Sequence, residues 1–277
     1  MKKVLFTAIV VMLLAAFGIS AFMVGSYLID GKKQAERNEE LSEIVANAQT
    51  AATEAPETTV TTAPTEVTEE TTVPTETTEP TEPTEPGIIP GYKEIYEMNN
   101  DVVGWLKMEG TKLDYPVMQT PSDPNYYLYR DFDKKNSKRG SIYAKEDCDI
   151  NAPSDNITLF GHNMQDGSMF ACLGNYTSKK AWENNSLIFF DTLTEYHTYK
   201  IFAVFKTSAN LGQGFRYHMF VDAANEQEFD EFVSTCKRLS FYDTGITPVY
   251  GDKLICLSTC EYTLDNGRLV VAAVRIT

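Results

Sequence analysis

From Val4 to Ile29 the chain carries 26 consecutive residues without a charge, most of them large and apolar. Such a run exceeds the roughly 20 residues that a helix needs to cross a bilayer. A cleavable signal peptide is the competing reading, since Lys2 and Lys3 precede the run and Ala15, Ala16, Gly18 and Ser20 lie inside it. Its apolar core is longer than the roughly 7–15 residues typical of such a peptide, so a retained transmembrane anchor over 4–29 is expected. Counting basic residues does not orient it, because Lys2 and Lys3 on one side face Lys32, Lys33 and Arg37 on the other.

Beyond the apolar run, composition divides the chain further. Residues 50–87 are almost wholly Thr, Glu, Pro, Ala and Val, and close on a short Thr-Glu-Pro repeat that ends at Pro86. This composition cannot bury enough apolar surface to fold, and prolines and mutually repelling glutamates favour extended backbone. A disordered stalk is expected, able to span up to about 100 Å at roughly 3 Å per residue. The juxtamembrane residues 30–49 are suited to continuing the membrane helix for a few turns, and nothing in them suggests chemistry. Residues 30–87 hold 14 acidic and three basic side chains, against 25 and 19 in residues 88–277. Neither part has the clustered positive charge that attracts a phosphate backbone, which argues against a nucleic-acid partner.

The folded part therefore spans 88–277, one domain. Tyr92 to Asn99 has helical spacing. Eight segments read as strands: 102–108, 112–118, 140–144, 156–160, 187–190, 198–207, 253–259 and 268–276. Eight strands at this spacing suggest a mainly β fold, a closed or nearly closed barrel. Residues 169–176 running into 179–183 form a weaker helical candidate. Glu226–Leu239 is a stronger one, with Phe229, Phe232, Val233, Cys236 and Leu239 on one face.

A domain of about 190 residues builds its core without staples, and its five cysteines at irregular spacing do not suggest a disulfide framework. Strand alternation sets Cys256 on a packed face, and Cys236 packs on its helix. Cys260 stands where the apolar run 254–259 stops and polar residues begin, the partly exposed kind of place in which a thiolate forms and is reached. Of three histidines, His162 follows the apolar strand 156–160 and Gly161, which permits a tight backbone turn, and so is presented at a strand end. His197 and His218 read as structural. A metal site drawn from Cys256, Cys260, His162 and His218 lacks any usual ligand spacing, so no metal is expected, and no cofactor.

Leu257-Ser258-Thr259-Cys260 followed by Gly267-Arg268-Leu269-Val270-Val271, with Phe160-Gly161-His162-Asn163-Met164 about a hundred residues upstream, resembles the sortases. Asp101–Leu106, Asp114–Val117, Tyr126-Tyr127-Leu128 with Asp131-Phe132, Gly140–Tyr143 and Asp166–Phe170 point to class B members, as does the long helix before the Cys260 strand. The resemblance covers 92–277. It implies an eight-stranded sortase-type barrel with an N-terminal helix, and a membrane anchor with the N-terminus inside and the enzyme outside a Gram-positive-type envelope. It also implies a cysteine transpeptidase that cleaves a C-terminal sorting motif of exported proteins and passes the acyl group to an amine of a peptidoglycan precursor. Carried onto this chain, the catalytic residues are His162 as proton-transfer partner, Cys260 as nucleophile and Arg268 as the positive group at the carbonyl. By analogy Ser258, Thr259, Glu261 and Leu128 border the substrate groove. Two rivals stand beside it: a pilin-polymerising enzyme, whose accepting amine is a lysine of another protein, and a non-catalytic stalked surface binding module.

One local signal opposes Arg268. Asp265-Asn266-Gly267 is a strong two-residue hairpin signature, and a tight turn there would pair Asp265 with Arg268 and leave Cys260 about 17 Å away along the strand. The catalytic reading requires a wider loop over 261–267.

Overall fold

The computed structural model describes residues 2–54 and 87–277; the expected stalk over 55–86 lies outside them. Eight strands form the barrel: β1 Val102–Lys107, β2 Asp114–Met118, β3 Ile142–Ala144, β4 Asn156–Phe160, β5 Leu187–Thr192, β6 Thr198–Ser208, β7 Leu254–Glu261 and β8 Gly267–Arg275. The order is β1-β2-β3-β4-β7-β8-β6-β5, closed by pairing of β5 with β1. All eight expected strands are present, and β4 has the expected bounds. The strand β7 runs two residues further than its apolar pattern, because Cys260 and Glu261 stay paired with Arg268 and Gly267.

Side chains alternate across the sheet, and the two faces of β7 and β8 have different partners. Ile255, Leu257, Leu269, Val271 and Ala273 fill the barrel interior. Leu254, Cys256, Val270, Ala272 and Val274 point outward, under helix α4 (Glu226–Leu239), whose Phe229, Phe232, Val233 and Cys236 cover them. The side chain of Asn225 accepts from Glu228 N and the Glu228 carboxylate accepts from Ala224 N, a reciprocal cap that starts α4 where its sequence pattern begins. The weaker helical candidate is a 3-10 stretch, Phe170–Thr177, followed by the short α3 Lys179–Asn184.

Helix α1 runs from Lys2 to Glu54 and behaves as two halves. Its apolar half is mostly exposed: Phe17 and Phe22 are more than 70% exposed. It is the one described helix long and apolar enough to cross a membrane. The other half docks on the barrel, with Leu41 and Val45 buried among Tyr92 and Ile95 of α2 (Pro90–Met98), Trp105, Tyr127 and Phe132. The juxtamembrane stretch is thus part of the folded unit. With α1 docked, the apolar run is joined to the barrel by packing as well as by the chain itself.

Candidate active site

Strands β4 and β7 run parallel with Phe160 beside Ser258, and His162 and Cys260, each two residues further on, line one groove. Three bonds lock this junction. Gly161 N donates to Ser258 O at 3.2 Å, Thr259 Oγ1 to Gly161 O at 2.7 Å, and Asn163 Nδ2 to Cys260 O at 3.1 Å. Gly161 is needed for space rather than for a turn. Its φ is not positive, and a Cβ there would stand 2.5 Å from Ile142 Cδ1 and 2.8 Å from the Phe170 ring.

Cys260 lies directly opposite Arg268 across the β7–β8 ladder. Opposed residues of an antiparallel pair share a face with Cβ atoms about 5 Å apart, and here it is the outward one that carries Cys256, Val270 and Ala272. The hairpin signature therefore does not close on two residues. The ladder ends at Glu261–Gly267, and residues 262–266 form a five-residue loop. Glu261 shapes that loop. Its carboxylate accepts from the backbone N–H groups of Thr263 and Leu264 and pairs with Lys206 at 2.7 Å. Against the upward push of burial, Lys206 and Thr263 hold it down at about 2. Asn266, at φ 48°, sits in the left-handed region that asparagine tolerates, and its side-chain oxygen receives Arg268 Nη1 at 3.2 Å. The same Nη1 donates to Gly267 O at 2.9 Å, which fixes the guanidinium plane.

A groove of about 350 Å³ brings together His162, Cys260, Arg268, Ser258, Thr259 and Leu128. Cys260 is the one of the five cysteines that is not buried. Burial raises the thiols of Cys148 and Cys172 to about 11 and those of Cys236 and Cys256 further, which keeps those four protonated and inert. His162 Nε2 lies 2.8 Å from the carbonyl oxygen of Leu128. A carbonyl only accepts, so Nε2 carries a proton, and Nδ1 is the ring nitrogen left for proton transfer. The Tyr129 ring lies 5.9 Å from the imidazole.

The four residues expected along the groove differ in what they do. Leu128 reaches His162 through its backbone. Ser258 is buried and shares a hydrogen bond with the Tyr217 hydroxyl. Thr259 spends its hydroxyl on Gly161, and Glu261 faces Lys206 outside the groove lining. Sequence reasoning passed over several neighbours: Asn163, Tyr143, Lys145 and His218. Tyr143 lines the groove with its phenol pushed up to about 12 by burial and by the Cys260 charge, against Arg268. Lys145 is buried in the wall, beside Asp147 and 3.9 Å from Glu146. His218, read as structural, also lines the groove. Burial, then Arg216, Lys145 and Arg268, lower its proton affinity and keep it neutral near pH 7. No period or spacing announces Lys145 and His218, because separate connections bring them in, while Asn163 and Tyr143 lie inside the motifs quoted above and only the fold shows what they face. A larger cavity, about 540 Å³ between α1, α2 and the barrel, is lined by no cysteine.

The family model of the sortase domain matches residues 106–276. Sortase B of Staphylococcus aureus is 30% identical over 186 residues, 66% of this chain and 74% of the relative. Sortase B of Listeria monocytogenes is 31% identical over 189 residues, 67% and 74%. The crystal structure of the Staphylococcus aureus enzyme superposes with a TM-score of 0.63 at 30% identity, covering 69% of this chain and 88% of that one. A Staphylococcus aureus sortase B–substrate complex matches the fold over 90% of this chain and 99% of its own, with a TM-score of 0.72 at 24% identity. Family model, relatives and fold agree with the thiol, imidazole and guanidinium gathered in one groove: this chain belongs to the sortase family of transpeptidases, in its class B.

Proposed function

We propose that the chain cleaves a C-terminal sorting motif of exported proteins through a thioacyl intermediate on Cys260 and transfers the acyl group to an amine of a peptidoglycan precursor. The observation that carries this reading is the direct opposition of Cys260 and Arg268 beside a histidine whose Nε2 is committed to Leu128 O. Cys260 Sγ passes its proton to His162 Nδ1 and attacks the scissile carbonyl, and the oxyanion of the tetrahedral intermediate is met by the guanidinium donors of Arg268. As the C–N bond breaks, His162 gives its Nδ1 proton to the departing amine, leaving a thioester on Cys260. The acceptor amine then attacks the thioester, His162 takes its proton at Nδ1, and the C–S bond breaks to release the thiolate. Nε2 keeps its proton throughout, because Leu128 O fixes the ring orientation in both half-reactions.

Residues 4–29 serve as a single-pass anchor with the N-terminus inside and the barrel outside, which places the groove where exported proteins and wall precursors meet. Mass spectrometry of the chain incubated with peptides varied across a sorting motif tests the nucleophile. Wild type gains an acyl adduct on Cys260, and Cys260→Ala gains none. Products formed with a purified cell-wall peptide and with a pilin lysine as acceptors decide the second substrate. Activity that survives Cys260→Ala would sink the reading.

A further inference from the structure

Two segments hold His162 in place, and α1 grips both of them. The first is the β2–β3 connection, which supplies Leu128 O. Gln34 Nε2 of α1 donates to Gly140 O at 2.6 Å, and Ser137 Oγ meets Gln34 Oε1 at 3.1 Å and Asp30 Oδ2 at 3.2 Å. Gly140, at φ +58°, is pressed against the backbone of the histidine's partner: a Cβ there would stand 2.4 Å from Leu128 O. Ser141 N donates to Tyr127 O at 2.9 Å and closes the connection onto the same turn.

The second segment is the loop after His162, which returns so that Phe170 N donates to His162 O at 2.9 Å. Its Asp166 and Ser168 are held by Arg139 Nη1. Hydrogen bonds from Ser168 and Arg139 overcome burial and keep Asp166 below the usual carboxylate range. The Arg139 side chain is buried by α1. Its guanidinium lies 5.0 Å from the Tyr27 ring centroid, and a Cβ on Gly31 would stand 2.1 Å from Nη2.

From this geometry we propose that the juxtamembrane half of α1, through Gly31 and Gln34, is a positioning element for His162, so that the helix leaving the membrane sets the orientation and tautomer of the catalytic imidazole. The proposal rests on the reading of His162 as the proton-transfer group. It makes Gln34 and Gly31 positioning residues, since neither touches the groove. A docked helix constrains Leu128 O on one side and the 163–169 loop on the other, and a general acid–base group is effective only when held within a few tenths of an ångström of its course.

The test uses the full chain in detergent micelles, labelled with 15N-histidine, where three histidines give three assignable rings. Gln34→Met keeps the side-chain length and removes the donor to Gly140. Gly31→Leu drives a side chain into Arg139. Glu39→Ala, on an exposed position of α1, is the control. In wild type and the control, His162 is expected as the Nε2–H tautomer with a ring proton protected from exchange. In both docking variants that protection is lost, and kcat with a sorting-motif peptide falls about 10-fold while KM stays within about twofold. Unchanged His162 ring signals in Gln34→Met, or a loss of melting temperature with kcat intact, would overturn the proposal. If Gly31→Leu fails to fold, Gln34→Met decides alone. Failure of wild type to form a Cys260 adduct would remove the catalytic reading but leave the ring tautomer, and its dependence on α1, measurable by NMR.

Discussion

Arg268 presents an oriented plane of donors opposite Cys260, since its Nη1 is tied to Gly267 O and Asn266 Oδ1. A lysine keeps the charge and loses the plane. Arg268→Lys is therefore expected to lower kcat about 10- to 100-fold with a smaller change in KM, measured by steady-state peptide transfer. Glu261 has a different task. Its carboxyl titrates at about 2 in the folded chain and near 4.3 when unfolded, so as pH falls the unfolded chain binds the proton first. The stabilisation is whole above about pH 4.3 and gone below about pH 2. Glu261→Gln should melt below wild type at pH 7, with the gap closing as the pH approaches 2 in paired thermal scans. A gap that persists in acid would place the effect in packing rather than charge.

Among the elements, α4 is the support behind the strand that carries Cys260. Phe232 stacks on Phe220 at 4.1 Å between centroids and covers the outward face of β7 and β8, the face that ends in Cys260 and Arg268. Phe232→Ala opens a cavity there and is expected to cost about 3–5 kcal/mol, read from denaturant unfolding. This helix was legible in the sequence to its terminal residues, since its apolar positions recur at helical spacing, while the Asn225 cap that starts it emerged in the structure. The turn at Asn266-Gly267 was not. Locally those residues favour a two-residue hairpin, yet Glu261 binds two loop N–H groups and Lys206 on β6, and that tertiary contact stabilises the five-residue loop instead. Phe170–Thr177 illustrates the same limit: it opens where Phe170 N donates to His162 O, a contact that helical spacing does not show.

For the molecule as a whole, docking of α1 makes the separation between the apolar run and the barrel a property of one helix. Removing about a dozen residues from 55–86 should leave the barrel-to-bilayer distance unchanged, measured by energy transfer between a label on α4 and a lipid dye in vesicles. A distance that shortens with the deletion would restore that segment as the spacer. The sequence by itself determined what depends on local chemistry and period: an anchor-length apolar run, eight strands, the amphipathic α4, and Cys260 and His162 as strand-end residues with the ordered motifs of a sortase. Only the tertiary structure decided what depends on contact between distant segments. It set Arg268 opposite Cys260, gave His162 its carbonyl partner, brought Lys145 and His218 into the groove, moved Glu261 from groove to loop, and joined α1 to the barrel. Periodicity reports which face of an element is buried; the identity of what covers that face is set by closure of the barrel and by the helix that docks on it.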